Sequence, residues 1–248
     1  MKGSKLMSYK NSLIVHADPK SPIAEAYRVL RTNIQFASVD KPIKTIVVTS
    51  STPGEGKTTT IANLAVTFSQ SGSRVLLIDA DLRKPRVHKA FDLTNIHGMT
   101  TVLAEQRDYK TCINKTDIEN LFVLTSGPIP PNPSELLSSN AMKKFLEALC
   151  NDFDMILIDA PPVGVVTDAA ILSTIVDGTI LVVSSGNVEI DAAQRAKLLL
   201  EKVNAKLLGV VLNKITKENQ GGRYSYDYYY ADDYDNEKNN NHKQKKKH

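Results

Sequence analysis

The sequence predicts an α/β fold in which a doubly wound, mostly parallel sheet is flanked by helices on both faces. Short, near-continuously apolar runs rich in β-branched residues recur along the chain, and segments with helical spacing lie between most of them. A glycine-rich turn follows the first run, and two later runs carry aspartate at their ends. Because alternating strands and helices are joined by right-handed crossovers, they form parallel sheets, which bind ligands at the carboxyl ends of their strands.

The N-terminal part of the chain predicts an arm followed by a helix. Residues 1–20 are polar, so we expect a flexible arm there. Residues 21–37 have helical spacing, with Ser21 as a cap, Pro22 in the first turn and Glu25 near the positive end of the helix.

The central part of the chain predicts a single folded domain over residues 21–215. The runs that we predict as strands are residues 44–50, 74–81, 121–127, 153–162, 178–186 and 205–214. The helices that we predict between them are residues 56–72, 132–152 and 189–204. After Ile215 the apolar pattern stops, so residues 216–248 are predicted to be a disordered tail, rich in tyrosine and then basic.

Composition and charge exclude several classes of protein. The chain has 248 residues, 42% of them hydrophobic, and its net charge of +4 is concentrated in the final stretch "KNNNHKQKKKH". No stripe of basic residues with interleaved aromatics is found in the predicted domain, so no nucleic-acid partner is expected. No signal peptide and no apolar run of about 18 residues is present, which favours a cytoplasmic chain. Cys112 and Cys150 are then expected to be buried, reduced thiols.

The first predicted strand runs into "STPGEGKTTT", which matches the P-loop pattern G-x-x-x-x-G-K-[ST] except that Ser51 replaces the first glycine. Glycines allow the tight turn that directs backbone N–H groups at phosphate oxygens. Lys57 can reach the β- and γ-phosphates, and the Thr58 hydroxyl can ligate Mg²⁺. The predicted nucleotide-binding residues of this loop are Pro53, Gly54, Glu55, Gly56, Lys57, Thr58 and Thr59.

Three aspartates are expected at the same edge of the sheet. Asp79 and Asp81 end the second strand pattern, and Asp159 ends the pattern "MILID" in the position of a Walker B aspartate. One such aspartate alone is equally well explained as a helix cap, but three with a P-loop indicate a magnesium site. We predict Thr58, Asp81 and Asp159 as the metal ligands.

The sequence favours ATP over GTP. GTPases carry Asn-Lys-x-Asp after a late strand, where the aspartate binds guanine. Here "LNKIT" has Asn213 and Lys214, but Thr216 stands where the aspartate would be. Asn213 alone suits the amino group of adenine, so we add it to the nucleotide-binding residues.

The motifs together resemble those of the bacterial tyrosine kinases, the cytoplasmic kinases of capsule and exopolysaccharide systems, over roughly residues 20 to 235. They are the P-loop, a second Walker A′ motif "LLIDADLRKP", the Walker B motif "MILIDAPP", the segment "SGPIPPNPSELL", a helix with Glu25-x-x-Arg28-x-x-Arg31, and the C-terminal tyrosine cluster. The resemblance implies a P-loop NTPase fold of the MinD/ParA type and transfer of phosphate from ATP to tyrosine.

The resemblance also implies residue roles. Lys57, Asp79 and Asp81 would be catalytic, with Asp79 as the candidate proton acceptor, although the roles of Asp79 and Asp81 could be exchanged. Arg83 and Lys84 would meet phosphate or the acceptor, or simply be solvated. The autophosphorylated residues would be Tyr224, Tyr226, Tyr228, Tyr229, Tyr230 and Tyr234.

Family members of this type phosphorylate the tail of a neighbouring subunit within a ring, which is reported as an octamer. Glu25, Arg28 and Arg31 lie on one helix face and would form the ring contact, whereas a solvated charged stripe is the simpler explanation. Members without membrane helices act with a separate membrane-anchored activator. The resemblance therefore implies a location at the inner face of the membrane, protein substrates, and regulation of polysaccharide synthesis and export.

Two other functions remain open on the sequence. A MinD/ParA ATPase would share the fold, but its signature lysine is replaced here by Thr52, and such proteins lack a tyrosine-rich tail. A nucleotide-binding scaffold whose tail is phosphorylated by another enzyme is the third hypothesis.

Overall fold

The computed structural model describes residues 13–37 and 42–215, and every element below lies in one compact unit that extends to Lys214. The strands are β1 (Thr45–Ser50), β2 (Val75–Asp79), β3 (Asn114–Lys115), β4 (Leu121–Leu124), β5 (Met155–Asp159), β6 (Gly178–Ser184) and β7 (Leu207–Asn213). They form one sheet in the order β3-β4-β2-β5-β1-β6-β7, and every pairing is parallel except that of β3 with β4. The predicted fold class is confirmed.

The helices cover both faces of this sheet. They are α1 (Ile14–Ala17), α2 (Pro22–Phe36), α3 (Lys57–Gln70), α4 (Val87–Ala90), α5 (Met99–Glu105), α6 (Pro133–Ser138), α7 (Asn140–Asp152), α8 (Asp168–Ser173) and α9 (Ile190–Lys202). A short 3₁₀ helix spans Tyr109–Thr111. The elements that we did not predict are this 3₁₀ turn, β3, α1, α4, α5 and α8, all of them short.

Alternate residues of the central strands belong to two separate cores. In β1, Val47 joins the core that contains Leu76 of β2, whereas Ile46 joins the core that contains Leu77. This period of two is the expected arrangement when apolar side chains point to both faces of a strand. Burial on both faces explains why these strands read as unbroken apolar runs in the sequence.

Strand β7 differs from the prediction that all strands are buried on both faces. It lies at the edge of the sheet, and Val210 and Leu212 are each 54% exposed. Its apolar residues nevertheless follow the same β-branched pattern as the central strands, so the sequence pattern does not reveal the strand's position.

Two predictions, one of a helix and one of a flexible arm, need correction. The helix predicted over residues 132–152 is two helices, α6 and α7, because Ser139 is extended (ψ 155°) and its side chain accepts a hydrogen bond from the Met142 N–H as an N-cap. The flexible arm predicted for residues 1–20 is wrong for the described part, residues 13–20. There Leu13 and Val15 are buried, and the Val15 N–H donates to Asn63 Oδ1 at 3.0 Å.

Other expectations concern thiols, membrane helices and the tail. Cys112 is buried, as expected, whereas Cys150 is half-buried. Across residues 13–37 and 42–215, no helix combines the length and apolar character that a bilayer crossing requires. The predicted tail, residues 216–248, lies outside the described residues.

Candidate active site

The loop between β1 and α3 has the backbone of a phosphate-binding turn. Gly54 and Gly56 have φ values of +86° and +93°, in the left-handed region that disfavours residues with a Cβ atom. At Gly56 a Cβ would also clash with Asn213 Nδ2. The loop then enters α3 at Lys57, so the N-terminal end of a 14-residue helix faces the site.

The Glu55 side chain stabilises the P-loop through hydrogen bonds with Ser51 and Thr52. Its carboxylate is 2% exposed and accepts hydrogen bonds from the Ser51 hydroxyl at 2.5 Å and from the Thr52 N–H at 2.9 Å. The Thr52 hydroxyl and the Ser51 N–H also donate to it. The Glu55 side chain, which we predicted among the nucleotide-binding residues, therefore holds the loop, and its backbone N–H is the group left to meet a phosphate.

The sheet brings the three predicted carboxylates together. In the parallel pairing of β2 with β5, Asp79 is the register partner of Asp159. Asp81 follows in the loop after β2, and its N–H donates to Asp79 Oδ1 at 3.2 Å. All three aspartates are at most 5% exposed. The carboxyl ends of two neighbouring strands thus place an acidic cluster beside the P-loop.

Lys57 and Thr58 link the P-loop to this cluster. Lys57 Nζ lies 3.0 Å from Asp81 Oδ2 and 3.2 Å from Asp159 Oδ1. The Thr58 hydroxyl donates to Asp159 Oδ2 at 2.6 Å. The predicted convergence of one ammonium group, one hydroxyl and the aspartates at the strand ends is therefore present.

Burial dominates the electrostatics of the cluster. Burial and, after it, the nearby Asp159 raise the pKa of Asp79 to about 8, although the Val87 N–H and Lys57 oppose the shift. Burial also raises the pKa of Asp159, against the effects of Lys57 and Thr58. Burial alone would lower the pKa of Lys57, but Asp159 and Asp81 outweigh it and raise that pKa. The cluster is therefore short of positive charge, a condition that a bound cation relieves.

A cavity of about 440 Å³ opens over this cluster. Its walls come from the P-loop, from the segment after β2, from the segment after β5 and from the end of β7. The lining residues are Pro53, Gly54, Gly56, Lys57, Thr58, Thr59, Asp81, Arg83, Lys84, Arg86, Pro161, Pro162, Val165, Val166 and Lys214. The cavity thus combines phosphate-binding groups with an apolar wall.

The donor set fits a magnesium ion bound together with a nucleotide. Thr58, Asp81 and Asp159 offer one hydroxyl and two carboxylates within one cluster. Among the described residues, no group of three or more His, Cys, Asp and Glu side chains is arranged to hold a metal alone. Mg²⁺ typically takes one or two protein carboxylates and completes its shell with water and phosphate oxygens.

Two predicted residues, Arg83 and Asn213, have partners that the sequence did not reveal. Arg83 lines the cavity and is 38% exposed, and its Nε and Nη2 lie 2.9 and 3.0 Å from the carboxylate oxygens of the buried Asp168. Ser134 donates to the same carboxylate at 2.8 Å. Asn213, predicted to meet adenine, donates from Nδ2 to the Glu55 carbonyl at 2.8 Å.

Sequence reasoning missed Asp168, Ser134 and Lys214 as residues of the site. Ser134 lies within the motif "SGPIPPNPSELL" and Lys214 within "LNKIT". Both motifs indicate the family or the nucleotide, but neither reveals a role for these two residues. Nothing local marks Asp168, which meets Arg83 across 85 residues of sequence.

The remaining predicted sites lie apart from the cavity. On α2, Glu25 pairs with Arg28 at 2.9 Å, whereas Arg31 donates to the Thr67 carbonyl of α3 within the same chain. The six predicted phosphorylation sites, Tyr224 to Tyr234, fall outside the described residues.

The chain is similar to known proteins over most of its length. Residues 43–208 match the protein family described as an AAA domain. The chain is 48% identical over 225 residues to the tyrosine-protein kinase YwqD of Bacillus subtilis (strain 168), covering 90% of this chain and 94% of that protein. It is 41% identical over 194 residues to the tyrosine-protein kinase CpsD of Streptococcus agalactiae serotype Ia, covering 78% of this chain and 83% of that one.

Solved structures show the same likeness. The chimerical protein CapA2B2 superposes with a TM-score of 0.81 at 47% identity, covering 84% of this chain and 91% of that chain. MinD from Pyrococcus horikoshii, complexed with Mg-ADP, gives a TM-score of 0.59 at 24% identity, over 71% of this chain and 73% of that chain, and so shares the fold alone. With a P-loop, an acidic cluster and close relatives of this kind, the chain belongs to the family of bacterial tyrosine-protein kinases.

Proposed function

We propose that this kinase uses Mg²⁺ and ATP to phosphorylate the C-terminal tyrosines of a neighbouring copy and the tyrosines of protein substrates. The observation that carries the proposal is the position of Lys57, whose ammonium group lies within 3.2 Å of both Asp81 and Asp159 at the floor of the cavity. A cation at the end of a P-loop, beside carboxylates that can hold a metal, suits the charge of a triphosphate.

The side chains of the cluster would have three roles: phosphate binding, metal binding and acceptance of the tyrosine proton. Lys57 and the loop N–H groups would bind phosphate oxygens, and Thr58, Asp81 and Asp159 would hold Mg²⁺, which neutralises charge on the phosphates. Asp79 would accept the tyrosine proton, because a loose transition state asks little of the base.

The exchanged assignment, with Asp81 as the proton acceptor, has support of its own. Asp81 lines the cavity, whereas both oxygens of Asp79 accept backbone N–H groups, from Asp81, Arg86 and Val87. The variants Asp79→Asn and Asp81→Asn separate the two assignments. Loss of a metal ligand raises the Mg²⁺ concentration needed for nucleotide binding, whereas loss of the proton acceptor abolishes phosphate transfer and leaves that concentration unchanged.

Phosphorylation between copies can be tested with two complementary defects. A chain truncated after Ile215 keeps the cavity but has no tyrosine cluster, and full-length Lys57→Met keeps the cluster but lacks the ammonium group. We expect neither to gain phosphotyrosine alone with Mg·ATP, and a mixture to label the Lys57→Met chain. Labelling confined to the wild type would show transfer within one chain instead.

The same assay separates the rival functions. Steady phosphate release with unmodified tyrosines would identify a MinD-like ATPase. A chain that neither releases phosphate nor becomes labelled, even with the cytoplasmic segment of a membrane activator added, would be a binding scaffold.

We further propose ring assembly, a membrane-anchored activator, a location at the inner face of the membrane, and regulation of capsular or exopolysaccharide synthesis and export. Relatives named as tyrosine-protein kinases support the class of enzyme, and the similar structure of CapA2B2 is that of a chimerical protein.

From Ile215 to Tyr224 the extended chain spans at most about 30 Å, which limits the reach of the first tyrosine. Each phosphate adds about −1.5 to −2 charge, so we expect labelled tails to repel the acidic cluster and the assembly mass to fall.

A further inference from the structure

Lys214, at the end of β7, has an unusual backbone conformation. Its φ is +55°, in the left-handed region where residues with a Cβ atom are disfavoured and glycine is favoured. The Lys214 side chain contacts the P-loop, because its Nζ donates to the Gly54 carbonyl at 2.7 Å. A disfavoured conformation with a defined contact points to a role for the side chain.

The residue before it makes a parallel contact. Asn213 Nδ2 donates to the Glu55 carbonyl at 2.8 Å, and Lys214 holds the carbonyl of the preceding residue, Gly54. Two consecutive side chains at the end of β7 thus bind two consecutive carbonyls of the P-loop, across 158 and 160 residues of sequence.

These contacts set the direction of the loop's N–H groups. In a trans peptide the carbonyl and the following N–H point in opposite directions within one plane. Holding the Gly54 and Glu55 carbonyls toward β7 therefore directs the N–H groups of Glu55 and Gly56 away from it. A phosphate-binding loop depends on such preoriented N–H donors.

The charge of Lys214 also differs from that of two other cations in the cavity wall, Lys57 and Arg83. Lys57 lies against two carboxylates and Arg83 against Asp168, so those charges are largely compensated. Lys214 lines the same cavity and donates to a neutral carbonyl, which leaves its positive charge for a ligand.

We propose that Lys214 is a positioning residue of the nucleotide site, which with Asn213 fixes the P-loop carbonyls before a nucleotide arrives and adds a cation to the cavity wall. The second part rests on the proposed function, since it assumes a nucleotide as the ligand. The first part does not, because it concerns the P-loop of the free protein.

The test uses the full chain and three substitutions of Lys214. Lys214→Met removes the charge and keeps the length of the side chain, Lys214→Arg keeps the charge, and Lys214→Gly relieves the left-handed backbone. Lys206→Met, at the other end of β7 and also exposed, is the matched control. Hydrogen exchange of residues 52–57 is measured without nucleotide, and the Kd of fluorescent ATP and ADP analogues is measured with Mg²⁺.

We expect Lys214→Met and Lys214→Gly to speed exchange of the P-loop amides and to raise the Kd of both nucleotides about tenfold, the loss of roughly one charge-assisted hydrogen bond. Lys214→Arg restores part of both effects, and Lys206→Met changes neither.

Unchanged P-loop exchange in Lys214→Met and Lys214→Gly would overturn the inference and leave Lys214 an ordinary surface lysine. Faster exchange in a chain that lacks kinase activity would instead keep the inference and reject the proposed function. Because glycine suits the backbone at this position, Lys214→Gly keeps the test valid even where Lys214→Met folds poorly.

Discussion

Asp79 and Asp159 are register partners on the paired strands β2 and β5, so two buried carboxylates stand side by side at the carboxyl edge of the sheet. Asp159 raises the pKa of Asp79, and a third carboxylate, Asp81, raises the pKa of both. Lys57 compensates only part of this charge. The unliganded fold therefore carries an electrostatic cost that a bound cation reduces.

The first prediction removes one of these charges. In Asp159→Asn the amide oxygen still accepts from Lys57 and the amide N–H₂ can donate to Thr58, while repulsion of Asp79 is lost. We expect the unfolding midpoint without nucleotide to rise by about 2–4 °C, equivalent to about 1 kcal/mol. Binding of Mg·nucleotide should weaken at least about tenfold, since a metal ligand is lost.

Calorimetry and fluorescence titration measure the two effects separately, with Asp117→Asn on the exposed surface as the control. A lower unfolding midpoint would show that the Asp159 charge stabilises the free protein.

The second prediction concerns the hydrogen bonds that the Glu55 carboxylate accepts within the P-loop. In Glu55→Gln only one side-chain oxygen can accept, and the hydrogen bonds from Ser51 and Thr52 lose their charge assistance. We expect a loss of about 1–2 kcal/mol in the free energy of unfolding and a nucleotide Kd about tenfold higher. Denaturant unfolding and nucleotide titration check this, and the exposed Glu119→Gln should change neither quantity. A Kd equal to that of the wild type would mean that the Glu55 charge is not needed for nucleotide binding.

The third prediction concerns Arg83 and Asp168. Arg83→Met removes the cation beside the fully buried Asp168 carboxylate and leaves the hydrogen bond from Ser134. We expect a loss of about 2–3 kcal/mol of stability, below the range for fully buried pairs because Arg83 is 38% exposed. The double variant Arg83→Met/Asp168→Asn should recover most of this loss, and Lys84→Met should have little effect. Equal losses in the single and double variants would contradict a specific pairing.

The fourth prediction separates the roles within the charged motif of α2. Glu25 and Arg28 form an exposed ion pair, and such pairs contribute about 0–1 kcal/mol to stability. Glu25→Lys should therefore leave the unfolding midpoint unchanged and prevent self-association. Arg31→Ala removes the hydrogen bond to Thr67 and should lower the midpoint by about 2–4 °C. Light scattering and calorimetry distinguish these effects, and unchanged mass in Glu25→Lys would exclude the residue from the proposed ring contact.

Much of the fold follows from local patterns. The strands β1, β2 and β5 are continuous apolar runs, and each ends beside a residue of the site, so their positions and their role could be predicted from the sequence. The short elements β3, α4, α5 and α8 could not, because two to seven residues carry too little periodicity to indicate a helix or a strand. The break at Ser139 was missed for a related reason, since a serine cap looks like any polar position within a longer helical pattern.

The sequence by itself determined the P-loop and the aspartates at the strand ends, because a strand followed by Gly-Lys-Thr specifies its own local geometry. The class of enzyme followed from the resemblance of several motifs together to a known family. Only the tertiary structure decided the distant partners: Arg83 with Asp168, Asn213 with the Glu55 carbonyl, and Lys214 with the Gly54 carbonyl. Short motifs fix the backbone of their own segment. The partner of the Lys214 side chain lies 160 residues away in the sequence. The two residues meet only because of the order of the strands in the sheet.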